Sequence, residues 1–308
     1  MNKNSEKYIR TAAMIALAGN AVLAALKLVF GMLSGSAALI GDGIDSSADV
    51  LISIVALAVV KIIAKPADKQ HPWGHGRAET VAVAVLSFIL FFAGAQLIFS
   101  SASNLISGVV PEPPSLSAMI VSLVSIAGKI LLAYSQYTLG RRSGSAMIQA
   151  NAKNMLGDVA ISVGVLAGLG ISNLTGSGLA DMLIACAVGA WVIKTAVGIF
   201  LGANLELMDG STDTQQYQMI FDAVNSVEGA SNPHRTRIRR IGGFWDIDTD
   251  IEVDPNITVE QAHRIASQAE TAIKERLEHV FDVMIHVEPQ GSRTPEDGFG
   301  LSAEELDG

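Results

Sequence analysis

The sequence predicts a polytopic α-helical membrane protein with six transmembrane helices and a small cytoplasmic α+β domain of ferredoxin-like αββαβ order. Composition is the first reason, because 50% of the 308 residues are hydrophobic, 17% are charged and the mean hydropathy is +0.40. The charges are also unevenly distributed, since most of them lie after Leu205. We therefore expect a six-helix membrane domain over residues 1–207, a soluble domain over 208–289 and a disordered acidic tail over 290–308.

Six apolar runs are long enough to cross a bilayer as helices, which takes about 20 residues each. The runs cover residues 11–33, 39–63, 81–105, 116–139, 147–169 and 179–201. Lysine and arginine occur before the first run, between the second and third, and between the fourth and fifth, whereas the other three connections contain neither. Because positive charge marks the cytoplasmic side, we expect both termini in the cytoplasm. We also expect the helices to lie in a bacterial inner membrane.

The composition also argues against several classes of function. A single cysteine, Cys186, cannot form an intramolecular disulfide, so the soluble part needs no oxidising compartment. The net charge of −9 argues against a nucleic-acid partner. The chain has no GxxxxGK[ST] motif for a nucleotide, and His71 and His75 lack the glutamate of HExxH, so we expect a protein that is not an enzyme.

The second run contains three carboxylates, in the segment SAALIGDGIDSSADVLISIVAL. A charged side chain at mid-bilayer costs about 3 kcal/mol on insertion scales, so it needs a partner, water or a bound ion. Asp42, Asp45 and Asp49 stand at i, i+3 and i+7, on one stripe of a helix. In the fifth run, Asn154 and Asp158 are one turn apart, so each of two helices presents oxygen donors that can enclose one cation. The expected ligands are Asp45, Asp49, Asn154 and Asp158.

The roles of Asp42 and Asn151 stay open at this point. Asp42 precedes Asp45 by three residues, and Asn151 precedes Asn154 by three, so both lie on the helices that carry the expected ligands. Either they belong to the site, or they cap or line water-filled helix ends.

Four motifs occur in one order on this chain: SAALIGDGIDSSAD, HPWGHGRAE, NMLGD and MIHVEP. With them, the chain from about Tyr8 to Pro289 resembles the cation diffusion facilitator family of divalent metal cation/proton antiporters. The resemblance implies a homodimer, a transport site between the second and fifth helices, and efflux of a metal ion from the cytoplasm in exchange for protons. It assigns the transport site to the same four residues.

The expected site differs from that of the family's zinc transporters. Those members usually place histidine at the position of Asn154, and often at that of Asp45, whereas this site has only oxygen donors. Zinc favours nitrogen and sulfur ligands, and oxygen ligands suit harder ions. We therefore expect Mn²⁺ or Fe²⁺ as the transported ion, with Zn²⁺, Co²⁺ and Cd²⁺ as further candidates.

The expected partners are metal ions, protons, the lipid bilayer and a second copy of the chain. The metal ion is a substrate and a candidate regulator, and no catalytic cofactor is expected. Crowded carboxylates repel one another in a low-dielectric site, so we expect them to take up protons when the metal leaves. The alternative function is a metal-gated cation channel or a membrane metal sensor without coupled exchange.

The loop DKQHPWGHGRAE is a second candidate for metal binding. Pro72 and Gly74 favour a loop over a helix here. The resemblance implies a shallow cytoplasmic metal site formed by Asp68, His71 and His75. The alternative is a solvated loop that its glycine and proline merely shape.

After residue 208 the pattern becomes that of a small α+β domain. Two segments have the apolar spacing of helices, 212–227 and 258–277, and three have the pattern of strands, 234–241, 244–254 and 281–289. Thr258 and Gln261 form a capping box at the start of the second helix. The resemblance also implies an ion pair between Arg77 and Asp209 that links the membrane and soluble domains.

One strand of this domain carries a row of carboxylates opposite its apolar face. The row consists of Asp246, Asp248, Asp250 and Glu252. On an exposed sheet face such a row ordinarily serves solubility, but the resemblance adds metal ligands of the cytoplasmic domain. These are His234, His263, His286 and Glu288. We expect His263, His286 and either Asp250 or Asp248 to lead the site, ahead of His234 and Glu288.

Overall fold

Six long helices form the first two thirds of the chain, as the six apolar runs predict. The computed structural model describes residues 3–63, 65–108, 112–143, 146–211, 214–241, 244–291 and 299–306. The helices are α1 (Lys3–Ser34), α2 (Ala37–Ile63), α3 (Ala78–Ile106), α4 (Leu116–Ser143), α5 (Ala146–Thr175) and α6 (Leu179–Leu207). Within these described ranges, five helices are long and apolar enough to cross a membrane. The sixth, α2, has a similar length but carries three aspartates, and the six-helix prediction is confirmed.

The N-terminus of α2 is held by a carboxylate from another helix. Asp181, in the first turn of α6, accepts a hydrogen bond from the Ser36 hydroxyl at 2.5 Å and another from the Ala37 N–H at 2.7 Å. The Ser36 oxygen accepts from the Leu39 N–H at 3.0 Å. These bonds satisfy donors that no carbonyl within α2 can reach, and the carboxylate charge complements the helix dipole. The helix with the expected ligands is therefore fixed against α6.

The membrane helices pack through small and apolar residues. α4 lies against both α1 and α5, and a buried cluster includes Leu39 of α2, Leu97 of α3 and Val188 of α6. Gly94 of α3 approaches Gly189 of α6 so closely that an added Cβ on Gly94 would lie 2.9 Å from the Gly189 carbonyl oxygen. Only a residue without a side chain permits this approach.

The C-terminal domain has the predicted order of helix, strand, strand, helix and strand. These elements are α7 (Thr214–Asn225), β1 (Ser231–Ile241), β2 (Phe244–Val253), α8 (Val259–Arg276) and β3 (Val280–Pro289). The sheet order is β1-β2-β3, with β1 and β2 antiparallel and β2 and β3 parallel. α8 provides the crossover between the parallel strands and packs with α7 on one face of the sheet.

By its internal contacts the chain divides into two compact units. One unit comprises residues 1–58 and 82–201, and the other comprises residues 59–81 and 202–308. The connection between α2 and α3 and the last turn of α6 therefore group with the C-terminal domain.

The capping box at the start of α8 is present as predicted. The Gln261 N–H donates to the Thr258 hydroxyl oxygen at 3.2 Å, and the Thr258 N–H donates to the Gln261 side-chain oxygen at 2.8 Å. Two backbone donors that lack intrahelical partners are thereby satisfied, and α8 begins where the sequence predicts.

β2 separates an apolar face from a charged face, as its alternation predicts. On the apolar side, Ile247 lies fully buried in the core with residues of α7 and α8. On the charged side most carboxylates are buried as well, which the expectation of a solvated face did not include. Arginines of β1 cover them, because Arg235 donates to Asp250 at 2.8 Å and Arg239 donates to Asp246 at 2.7 Å.

The prediction of a disordered tail over residues 290–308 is wrong for residues 299–306. Leu301 pairs with Thr236 of β1 through two backbone hydrogen bonds of 2.9 and 3.0 Å. A short helix, α9 (Ala303–Leu306), follows. The segment is ordered because it pairs with the open edge of β1 and packs Leu301 against the core. The rest of the predicted tail after Gly291 lies outside the described residues.

The tail is also held by side chains of β1. The Arg235 guanidinium lies 4.8 Å from the centre of the Phe299 ring, and that of Arg237 lies 5.3 Å from it. Between Phe299 and the paired residue, Gly300 has a φ of +85°, and a Cβ added to it would lie 2.4 Å from the Arg235 carbonyl carbon. The docked tail therefore requires glycine at this position.

We expect Gly300→Ala to release the tail from β1. The added methyl group would clash with backbone that cannot move aside, and alanine disfavours the positive φ. The Thr236 N–H, which donates to the Leu301 carbonyl, should then exchange with solvent at least tenfold faster. Hydrogen exchange followed by mass spectrometry measures this rate.

Gly291→Ala is the matched control for this experiment. Gly291 also has a positive φ, of +82°, but an added Cβ there meets nothing within 4 Å. It should leave exchange at Thr236 unchanged. Equal protection of Thr236 in the Gly300 variant and the parent would contradict the docking described above.

Candidate functional site

Two of the expected ligands in the membrane domain share one buried cation of the protein itself. The Lys129 Nζ of α4 lies 2.8 Å from Oδ2 of Asp158 on α5 and 3.5 Å from Oδ2 of Asp49 on α2. The Lys129 side chain is 1% exposed. It also donates to the Asn20 side-chain oxygen of α1 at 3.2 Å. One ammonium group thus connects four helices at the point where the sequence predicts a metal ion.

The other two expected ligands lie on the same helices. Asp45 is half-buried, one turn before Asp49, within electrostatic reach of Asp158. Asn154 lies one turn before Asp158 on α5 and is exposed in the single chain. In the described part of the chain, no membrane group of three acidic or histidine side chains has its ligand atoms within 4.8 Å of one another. The carboxylates therefore surround an ammonium in this structure and do not form a closed cage.

Asp42 belongs to a second ion pair and not to the expected site. It is fully buried, and the Lys27 Nζ of α1 donates to its Oδ1 at 2.8 Å. Lys27 also donates to the hydroxyls of Ser46 and Ser162 at 2.9 and 3.0 Å, and the Ser162 hydroxyl is within 3.0 Å of both Asp42 oxygens. With its carboxylate fully paired, Asp42 caps no helix end. Asn151, whose role was open, is exposed on α5.

The two lysines form two polar layers in the membrane domain. Asn20 and Lys27 are seven residues apart on α1, as are Asp42 and Asp49 on α2. Seven residues of α-helix correspond to a rise of about 10 Å. Both lysines lie inside apolar runs of the sequence, so hydropathy does not reveal them as partners of the carboxylates. Buried carboxylates need cationic partners, and the two lysines within the apolar runs could have been recognised as such partners.

In the loop between α2 and α3, the three predicted ligands come together. Asp68, His71 and His75 place one ligand atom each within 4.8 Å of one another. The His71 and His75 ring centres are 4.5 Å apart, and Nε2 of His75 lies 3.5 Å from Oδ2 of Asp68. Nδ1 of His75 is buried and has no hydrogen-bond partner in the described ranges. The set offers two nitrogens and one carboxylate, which suits a transition-metal ion.

Backbone N–H groups of this loop stabilise the charge of Asp68. The N–H of His71 and then that of Gln70 donate to its Oδ1, both at 2.8 Å, and these bonds hold the pKa of Asp68 below its usual value. The carboxylate is therefore charged at neutral pH. Its attraction for a cation is present above the usual aspartate pKa and is lost as the pH falls through the lowered one.

The ion pair expected between Arg77 and Asp209 is present. Arg77 also donates to the Glu206 and Leu207 carbonyls at 3.1 Å each, so its guanidinium covers the C-terminal end of α6. A cation at this end satisfies carbonyls that lack helical partners and complements the helix dipole. Asp209 lies 3.6 Å from Arg239 of β1 as well.

In the C-terminal domain, the clustered residues are His234, Asp250 and Glu288. Their ligand atoms lie within 4.8 Å of one another, and Nε2 of His234 is 3.4 Å from Oε2 of Glu288. Asn232 and Arg235 both have φ near +47°, and the β1–β2 register shifts on either side of His234. These irregularities turn neighbouring side chains of β1 to the same side, so that His234 and Arg235 both meet Asp250.

Of the residues expected to lead this site, only Asp250 belongs to the cluster within one chain. It lies with His234 and Glu288, which were expected to contribute less. His286 is exposed and approaches the cluster only through Glu288, at 3.7 Å. His263 lies on the exposed side of α8, and Asp248 pairs with Arg237 at 3.6 Å. Neither belongs to the cluster of the described residues. The register shifts of β1 account for the position of His234 beside Asp250, and spacing in the sequence does not reveal them.

Two family profiles match the chain. The one described as "Cation efflux transmembrane domain" matches residues 13–208, and the one described as "Cation efflux protein, cytoplasmic domain" matches residues 212–290. Together the two matches include the six helices and the C-terminal sheet.

Full-length relatives and one solved domain are similar to this chain. "Manganese efflux system protein MneP" of Bacillus subtilis is 31% identical, over 94% of this chain and 99% of that protein. "Cation-efflux pump FieF" of Salmonella typhi is 30% identical, over 94% of this chain and 95% of that protein. The structure titled "Metal-bound C-terminal domain of CzcD transporter from Thermotoga maritima" is 38% identical over 26% of this chain and 93% of that one, with a TM-score of 0.25.

We expect Glu288→Gln to remove one bound Mn²⁺ per chain from the full-length protein. The amide keeps the shape of the side chain but not the charge that completes the cluster with His234 and Asp250. Calorimetric titration of the purified protein counts the bound ions. Glu260→Gln, at an exposed position of α8 beside Arg264, is the matched control and should leave the count unchanged. An equal count in both variants would show that the cluster holds no metal.

Proposed function

Because this chain belongs to the cation diffusion facilitator family of divalent metal efflux transporters, we propose that it carries Mn²⁺ or Fe²⁺ out of the cytoplasm in exchange for protons. The residues that bind the transported ion in this proposal are Asp45, Asp49, Asn154 and Asp158. The metal ion is the substrate of the membrane domain. Zn²⁺, Co²⁺ and Cd²⁺ are weaker candidates as cargo.

One observation carries this proposal. Asp49 of α2 and Asp158 of α5 lie on either side of a single buried cation position, which Lys129 fills. Two carboxylates from different helices that face the same small volume attract a divalent ion more strongly than a monovalent one. Asp45 and Asn154 stand one turn away on the same two helices, so their oxygens can complete the coordination.

The preference for manganese or iron rests on the donor atoms. All four proposed ligands offer oxygen, and Asn154 stands where zinc transporters of the family carry histidine. Hard, oxygen-rich sites suit Mn²⁺ better than Zn²⁺. The similarity to MneP, a manganese efflux system protein, extends over nearly the whole length of both chains and supports manganese as the cargo.

Proton exchange follows from the charge of the site. When the metal leaves, three carboxylates remain and Lys129 neutralises only one of them. A low-dielectric site does not tolerate the remaining negative charges, and protons from the acidic side can neutralise them. Return of the protonated site and its exchange of protons for a metal ion complete a cycle driven by the proton gradient.

We further propose a homodimer in the bacterial inner membrane with both termini in the cytoplasm. The match to the family's cytoplasmic-domain profile supports dimer formation through the C-terminal domain. Positive charge in the connections that include residues 65–77 and 140–145 supports the orientation. The loop set of Asp68, His71 and His75 and the cluster around His234 are then positioned to sense cytoplasmic metal.

Asp49→Ala and Asp158→Ala should each reduce metal transport at least 100-fold while the protein stays folded. Each change removes a carboxylate that faces the cation position. The measurement is Mn²⁺ uptake into everted vesicles with an acidic lumen, and Asp254→Ala, at an exposed loop position, is the control. Near-normal uptake by either variant would remove that residue from the site. Uptake that persists in the parent without a pH gradient would favour a channel, and binding without uptake a sensor.

Asn154→His should raise the Zn²⁺ to Mn²⁺ transport ratio by about tenfold. The imidazole supplies the nitrogen donor that zinc prefers and that the oxygen-only site lacks. The same vesicles, supplied with each metal separately, give the ratio. Asn151→His, one turn away on the exposed side of α5, controls for the added imidazole. An unchanged ratio would mean that other residues set the selectivity.

A further inference from the structure

We propose that Lys129 is a tethered competitor of the metal ion, which occupies the transport site when no metal is bound and is displaced when a divalent ion enters. The inference rests on the proposed function, because it takes Asp49 and Asp158 as metal ligands. It assigns to Lys129 a specificity role that hydropathy and carboxylate spacing do not indicate.

The ammonium of Lys129 and a bound metal ion would compete for one volume. Nζ of Lys129 lies 2.8 Å from Asp158 and 3.5 Å from Asp49, at hydrogen-bond and ion-pair distance. A metal ion bound to the same two oxygens would occupy the volume that the ammonium fills. Two cations cannot share that volume in a low-dielectric interior, so entry of the metal requires the ammonium to move.

Asn20 offers the displaced ammonium another partner. The Asn20 side-chain oxygen of α1 accepts from Lys129 at 3.2 Å, so one alternative partner is already in contact. Lysine carries its charge on a flexible four-carbon chain with three rotatable donors. Because this contact already exists, Nζ can move away from the carboxylate oxygens and keep its hydrogen bond to Asn20. The side chain is 1% exposed, so this displacement occurs inside the protein.

The net charge of the site with Lys129 in place favours a divalent ion over a monovalent one. Asp45, Asp49 and Asp158 with Lys129 leave two negative charges, which is the charge that one divalent ion neutralises. A monovalent ion would have to displace an ammonium of equal charge that is tethered in place and therefore present at a high effective concentration. The lysine should thus exclude Na⁺ and K⁺ and weaken divalent binding enough to permit release.

Comparison with Lys27 shows what is particular to Lys129, namely its contact with carboxylates of the proposed transport site. Lys27 is an equally buried ammonium, but it lies on Asp42 and is bound to two serine hydroxyls. It therefore has a full set of structural partners. Lys129 faces the two carboxylates that belong to the proposed site.

The test compares Lys129→Gln, Lys129→Arg and the control Lys194→Gln in the purified full-length protein. Lys194 is exposed on α6 beside Trp191, so its replacement changes the net charge equally but leaves the site intact. Calorimetry measures Mn²⁺ affinity at low salt and in about 150 mM Na⁺, which is near physiological ionic strength. Transport in vesicles supplies kcat and KM.

We expect Lys129→Gln to bind Mn²⁺ at least tenfold more tightly, to lower both KM and kcat because release becomes slower, and to become sensitive to Na⁺. Lys129→Arg retains a cation and should stay within threefold of the parent. Lys194→Gln should match the parent in every measurement. A purely structural role for Lys129 would weaken binding and would not create competition by Na⁺.

The inference is overturned if Lys129→Gln binds Mn²⁺ as weakly as the parent or more weakly, with Na⁺ still without effect. If Lys129→Gln does not fold, Lys129→Met, which keeps a long unbranched side chain without the charge, takes its place with the same criteria. Asp158→Asn separates this failure from that of the proposed function. If that variant binds Mn²⁺ normally, the transport site itself is wrong. If it loses binding while Lys129→Gln gains none, only the inference fails.

Discussion

A charge buried among the membrane helices needs a partner, and this constraint organises their packing. Hydrocarbon supplies no water to a carboxylate, so Asp42 is paired with Lys27 and Asp158 with Lys129. Lys27 connects α1 with α2 and α5, and Lys129 connects α4 with α1, α2 and α5. The groups that neutralise the carboxylates are therefore the ones that hold the helices together. Loss of one partner leaves the other charge buried and uncompensated, so the fold and the site depend on the same contacts.

Hydropathy and periodicity were sufficient to predict the architecture of this chain. Helix length, the polar connections and the capping box of α8 each depend on local sequence, and the structure agrees with them. The stripe of aspartates on α2 was equally predictable from the sequence. The pairing of Lys129 with Asp158 was not, because the two residues lie on different helices and a hydropathy window averages a lone lysine into an apolar run. A charge balance across all six runs would have pointed to both buried lysines.

In the C-terminal domain, the sequence predicted the strands but not their irregularities. A regular strand alternates its faces, so His234 and Arg235 would point to opposite sides. The positive φ of Asn232 and of Arg235 breaks this alternation and brings both side chains to Asp250. The guanidinium of Arg235 thus lies on a carboxylate of the candidate metal cluster, as the ammonium of Lys129 lies on carboxylates of the membrane domain. In both places the protein supplies its own cation to the acidic groups.

The docked tail also limits how the C-terminal domain can assemble. A sheet edge with free N–H and C=O groups is a template on which another chain can add a strand. At the middle of β1 this template is already used, because both backbone groups of Thr236 are bonded to Leu301 of the same chain. Two copies therefore cannot join into a continuous sheet through the centre of β1. Association through this domain is left to its helices, its side-chain surfaces, the ends of β1 or the opposite edge at β3.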